Sequence, residues 1–131
     1  MYKYWFRDKC RDLRSRCERF ARGYAKEDIW NMDTWLRETM EPMLRYLAEH
    51  HHAVPWELEK QYPDDADERW TKILVEMADC LHYSNHDIVD EELVDESLDI
   101  KERWSQIDDI ARKNKSRFCS LLSAYFYSLW N

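Results

Sequence analysis

Gly23 is the single glycine among 131 residues, where average usage would supply about nine. A chain this poor in glycine has almost no backbone positions free to enter the left-handed region. Phosphate-cradling loops, dinucleotide-binding fingerprints and glycine-turned hairpins are therefore excluded. What remains is a chain of helices with few tight turns. Its apolar pattern agrees.

The first helix is expected over about residues 4–22, with Gly23 as its stop. Its apolar positions are Phe6, Cys10, Leu13, Cys17, Phe20 and Tyr24, a heptad spacing that makes a narrow seam. The seam predicts a helix packed into a groove, either of its own domain or of a partner subunit. A homo-oligomer through this N-terminal helix is one form of that expectation. After a connector over 24–33, Asp33 stands where an N-cap belongs. Trp35, Leu36, Met40, Met43, Leu44 and Leu47 then share one face, with Pro42 expected to kink the helix or start a second segment.

His50, His51 and His52 fall near the end of this element, before Pro55. Residues 55–67 read as a polar loop whose acids suit the start of the next helix. That helix carries Trp70, Ile73, Leu74, Met77 and Leu81 as a clear stripe and ends near Tyr83. Beyond the break at Ser84–Asp87, Trp104, Ile107, Ala111, Phe118, Leu122, Tyr125 and Leu129 continue one pattern, interrupted by Asn114. This predicts one long helix, or two collinear ones broken near Asn114. The Phe118–Trp130 run is expected to be the buried central helix. No strand-like alternation is visible. The expectation is one all-α domain over 1–131, a bundle of four to five helices.

Charged residues make up 36% and apolar residues 44%, the balance of a folded chain. The formal net charge is −7, but it is unevenly spread. Residues 1–26 hold nine bases against three acids, and residues 27–131 hold eleven bases against twenty-four acids. Such polarity suits a nucleic-acid arm, or a basic helix docked on an acidic face of the same protein or of a neighbour. The second reading is preferred. Basic residues interleaved with Tyr2, Tyr4, Trp5 and Phe6 could stack on nucleic acid, but the seam assigns Phe6 to packing. Direct nucleic-acid binding is not expected.

Cys10, Cys17, Cys80 and Cys119 show no metal-finger spacing, and two cysteines seven apart on a helix sit about 10 Å apart along its axis. They read as buried or half-buried free thiols of a reducing cytosol. Basic residues and Asp8 interrupt any signal-peptide pattern, and the longest apolar run is about 13 residues where a membrane span needs about 20. The expected location is cytoplasmic, away from membranes.

Three groups of residues are candidates for chemistry. Glu76 and Asp79, at i and i+3, resemble the E-x-x-D helix of all-α nucleotide pyrophosphohydrolases, with Glu38 and Glu41 standing for that family's upstream E-x-x-E helix. The resemblance implies magnesium held by the four carboxylates. On the helical wheel, however, Glu76 and Asp79 face away from the Trp70–Leu81 stripe, as a solvated helix face would. Glu49-x-x-His52 and Asp79-x-x-His82 are similar to the carboxylate–histidine pairs of di-iron bundles, although surface histidines at a helix end explain them equally. A cysteine nucleophile paired with His82 or His86 lacks any recognisable oxyanion hole. No cofactor is expected outside the magnesium alternative.

A broader resemblance rests on Gly23-Tyr24, then Asp28-x-Trp30-x-Met32-Asp33, then a helix with internal Pro42. The Trp70–Met77 helix and the terminal Leu129-Trp130 extend it. In these positions the chain resembles a group of small, largely uncharacterised helical proteins encoded by bacteriophages and prophages. That implies an accessory protein made in the bacterial host cytoplasm, with no activity or catalytic residue attached. It predicts work done through protein–protein interaction, such as inhibiting or redirecting a host or defence factor.

The surface expected to do this is the run Asp87, Asp90, Glu91, Glu92, Asp95, Glu96 and Asp99, seven acids without a base. Val89, Leu93 and Ile100 fit one helical stripe on which the segment could dock with its acids outward. A positively charged surface of a host protein, such as a nucleic-acid channel, is the expected partner. A solvated face that merely keeps the protein soluble has equal standing.

Overall fold

The structure, a computed structural model, describes residues 2–130, with side chains from residue 8 onward. The fold is all-α, as the periodicity requires. Among the described residues there are six α-helices, where four to five were expected, and no strand. They are α1 (Tyr2–Arg22), α2 (Met32–His50), α3 (Trp56–Gln61), α4 (Ala66–His82), α5 (His86–Glu92) and α6 (Ile100–Tyr125). The chain divides into two units, Met1–Leu36 and Arg37–Asn131, with the division falling inside α2.

In the first unit α1 stops where glycine permits it. Gly23 has φ +84°, and its N–H donates to the Arg19 carbonyl at 2.8 Å. A Cβ added there would meet nothing within 4 Å, so the backbone conformation and not space selects glycine. A 3-10 turn over Lys26–Asn31 then leads straight into α2. Asp28 closes this turn by accepting from the Ala25 N–H at 2.7 Å and from the Arg19 guanidinium at 2.6 and 3.0 Å. Ser15 Oγ–H donates to Glu27 at 2.6 Å, and Glu18 accepts from the Lys26 N–H at 2.8 Å. Asp33, expected as the N-cap of the second helix, lies instead within the first turn of α2, because the 3-10 turn runs into α2 without a break.

The helix α1 therefore packs with its polar side. Ser15 and Ala25 are buried, while the seam residues Leu13 and Phe20 are 64% and 95% exposed. Cys10 and Cys17 are exposed as well. Within the first unit, then, the seam is not the side that packs. Hydrogen bonds between helix and connector select the side that packs, whereas the seam sets small Cys10 and Cys17 between its larger side chains. Phe6, Tyr2, Tyr4 and Trp5 lie outside the described side chains.

The second unit is built around α4. Trp70, Leu74 and Met77 are fully buried and Leu81 nearly so, the stripe expected from the sequence. Leu44 and Ala48 of α2, Leu58 of α3, and Phe118 and Leu121 of α6 pack with them. Pro42 sits inside α2 without ending it. The expected loop 55–67 contains α3, whose start is held by the Pro55 carbonyl accepting from the N–H groups of Leu58 and Glu59. Six residues are too few to show a helical period in sequence. A smaller cluster joins Val89, Val94, Ile107 and Ala111.

Of the two forms expected for the long C-terminal pattern, the single long helix is the one present. α6 runs unbroken through Asn114, whose Nδ2–H donates to the Ile110 carbonyl of the preceding turn at 3.0 Å. Ahead of it, residues 93–99 form the turn that separates α5 from α6. The end of the chain is not the central helix. Phe118 and Leu121 are buried, but Phe126, Tyr127 and Trp130 are 59%, 91% and 60% exposed.

Candidate interaction surface

The four carboxylates of the magnesium alternative do not gather into one group. Glu41 and Asp79 do approach each other, but Arg45 stands between them, 3.0 Å from Glu41 and 2.9 Å from Asp79. These two carboxylates raise the Arg45 pKa against the opposing effect of its partial burial. Glu76 instead meets Arg117 of α6 at 2.6 Å, and Glu38 is exposed. The position a divalent cation would take between α2 and α4 is filled by a guanidinium. Among the described residues no group of three or more His, Cys, Asp or Glu is arranged to hold a metal ion.

The carboxylate–histidine pairs also go separate ways. Glu49 and His52 are exposed. His82 lies between two carboxylates, with Nδ1 3.2 Å from Glu41 and Nε2 3.6 Å from Glu92. Tyr83 O–H donates to the same Glu92 at 3.1 Å, which pushes the phenol pKa up. His86 is 3.2 Å from Asp108. Histidine at a frayed surface end does not describe His51. Its side chain is only 4% exposed, with Nε2 hydrogen-bonded to Thr71 Oγ1 at 2.8 Å and Nδ1 without a hydrogen-bond partner. Nothing in the sequence separates His51 from its neighbours.

The acidic segment lies on two elements and the turn between them. It is not one helix face. Asn85 caps α5 by accepting from the Asp87 N–H at 2.9 Å. Asp90 pairs with Arg103 of α6, fastening the two helices. Asp95 accepts from the Ser97 N–H at 2.8 Å, which holds its carboxyl below the usual range. Asp99 is the N-cap of α6, accepting from the Lys101 N–H. Several acids thus shape the turn that follows α5. Glu91, Glu92, Asp95, Glu96 and Asp99 are exposed. Seven like charges are tolerated because three accept backbone or guanidinium donors locally.

The expected docking stripe of Val89, Leu93 and Ile100 is corrected accordingly. Val89 and Val94 face inward at 0% and 8% exposure, while Leu93 and Ile100 are 49% and 74% exposed. A different stripe carries the information. Ile100, Trp104, Ile107 and Ala111 fall on one face of α6. Ile107 and Ala111 are covered in the smaller cluster at 1% exposure each, but Trp104 remains 60% exposed. The stripe runs out from under α5 and is bare where it reaches the acidic turn. Arg103 beside Trp104 is paired with Asp90 and attracted by Glu96, and residues 87–103 hold eight acids against two bases, so the segment around this bare end is acidic on balance. The sequence shows the stripe but not where its cover ends.

A second apolar surface is a groove of about 480 Å³ lined by Met40, Pro42, Met43, Tyr46, Leu47, Leu129 and Trp130, among others. Three of the four cysteines, Cys10, Cys17 and Cys119, are exposed free thiols, and only Cys80 is buried. No helix among the described residues is long and apolar enough to cross a membrane. Comparison of the chain with protein-family models, with characterised proteins and with solved structures finds no match.

Proposed function

We propose that this protein is a helical accessory protein that acts by binding another protein through the acid-bordered end of the α6 stripe. The observation that carries the reading is Trp104 and Ile100, 60% and 74% exposed, continuous with a buried stripe and edged by carboxylates. An uncovered aromatic beside charged groups is the usual composition of an interface anchor and its rim. The acids select a partner with a basic surface, such as the nucleic-acid channel of a protein, and accelerate encounter. In keeping with the resemblance to phage-encoded proteins, the setting is the bacterial host cytoplasm and the effect is to inhibit or redirect a host or defence factor.

Affinity capture from bacterial cells identifies the partner, and association kinetics then test the surface. Trp104→Ala should raise the dissociation rate at least tenfold. Glu91→Gln with Glu96→Gln should slow association and flatten its salt dependence, since neither residue caps a helix or holds the turn. Wild-type kinetics in both variants would refute this surface.

A further inference from the structure

The helix α1 has the chemistry that this surface selects. Leu13 and Phe20 are 64% and 95% exposed and lie together on the wheel, about 150° around from Ser15, whose face holds the connector. Exposed Arg16 flanks them. From residue 8 to the end of α1 there are six bases against three acids. Pairing two α1 helices seam to seam would therefore bring like charges together, at a cost in each close pair. An acidic, apolar acceptor suits this helix better. The stripe end at Ile100 and Trp104 is such an acceptor: it follows the acidic run directly, residues 87–103 hold eight acids against two bases, and Arg103 is already paired with Asp90.

The geometry points to self-association in which α1 of one copy covers the Ile100–Trp104 face of a second copy. Each face exposes large apolar side chains, Leu13 and Phe20 on one and Ile100 and Trp104 on the other, and their charges are opposite. If each chain gives its α1 to the other, the arrangement closes as a two-fold dimer and leaves neither seam uncovered. The inference rests on the proposed interaction surface and adds its regulation. A foreign basic partner then has to displace α1 of the second copy, so binding such a partner and self-association exclude each other.

Sedimentation of the full chain tests this without any foreign partner. The wild type should form a dimer whose dissociation constant rises with salt. Phe20→Ser and Trp104→Ser remove exposed side chains, so circular dichroism should stay helical while each raises the dimer dissociation constant at least tenfold. Arg14→Glu with Arg16→Glu in one chain, and Glu91→Arg with Glu96→Arg in another, should each weaken self-association. An equimolar mixture of the two should restore a dimer. A monomeric wild type at all concentrations overturns the inference, whereas Trp104→Ala still weakening a foreign partner would leave the proposed surface standing. A dimer broken by Phe20→Ser but untouched by Trp104→Ser overturns the placement on this face. Restoration absent from the mixture overturns the charge pairing.

Discussion

Arg45 lies 2.9 Å from Asp79, joining α2 to α4 across a gap where two carboxylates would otherwise face each other. The same guanidinium contacts Glu41 through both Nε and an Nη. Its side chain is 41% exposed, so solvent screens the pair and its contribution is modest. Arg45→Met should lower stability by about 0.5–1 kcal/mol, read from denaturant midpoints at unchanged slope. Adding Asp79→Asn to Arg45→Met should recover part of the loss. If Arg45→Met is neutral, the guanidinium does not hold the two helices.

The connector of the first unit has an acid-sensitive latch. Arg19 and the Ala25 N–H lower the Asp28 pKa from the ordinary 3.8 to about 2. A depressed folded-state pKa stabilises the fold above the unfolded value and loses that contribution as pH falls through the folded one. The α1–connector contacts should therefore weaken between pH 4 and about 2. Carboxyl titration followed by NMR should place the Asp28 midpoint near the bottom of that window. A midpoint at the ordinary value would mean that Arg19 does not engage it.

Thr71 supplies a hydrogen-bond partner to a ring nitrogen of buried His51, whose other nitrogen has none. Thr71→Val conserves shape but leaves the buried ring without a hydrogen bond, its Nδ1 facing the Asp67 carboxylate only at 3.6 Å. The expected cost is about 1–3 kcal/mol, with Thr71→Ser retaining most of the stability. Equal melting temperatures for the two variants would exclude this bond as a contributor.

Thiol reactivity should divide the cysteines three to one. Cys10, Cys17 and Cys119 are exposed, while burial and nearby Glu76 push the Cys80 thiol up. Native alkylation followed by mass spectrometry should modify three sites quickly and Cys80 only on unfolding. Rapid native labelling of Cys80 would contradict its burial against α4's neighbours.

The legibility of this chain from sequence follows the size of its signals. Trp70, Leu74, Met77 and Leu81 sit on a helix long enough for the period to show, and they are the core. The seam of α1 showed a real apolar face, yet a pattern cannot tell whether that face is covered. Ser15, Glu27 and Asp28 decide which side of α1 packs, and polar pairings across a connector leave no periodic trace. Asn114 leaves one long helix and two collinear ones indistinguishable in sequence, because only the structure shows its amide bonded to its own helix. In the acidic segment the charges were legible by composition alone. Their division into a helix, a turn and an N-cap was not, because Asp95 and Asp99 act on the backbone two residues ahead.

α6 contributes Ile107 and Ala111 to one cluster and Phe118 and Leu121 to the other, so a single 26-residue rod runs through two cores of unequal size. The smaller core can open while the larger one stays closed, and the rod then carries a gradient of solvent access along its length. Amide hydrogens of α5 and the first turns of α6 should exchange through this partial opening, whereas those around Phe118 wait for complete unfolding. The bare end of the stripe is thus expected in the less protected part of the second unit, and a ligand bound there should report itself as slowed exchange within two turns of Trp104, at Ile107 and Ala111.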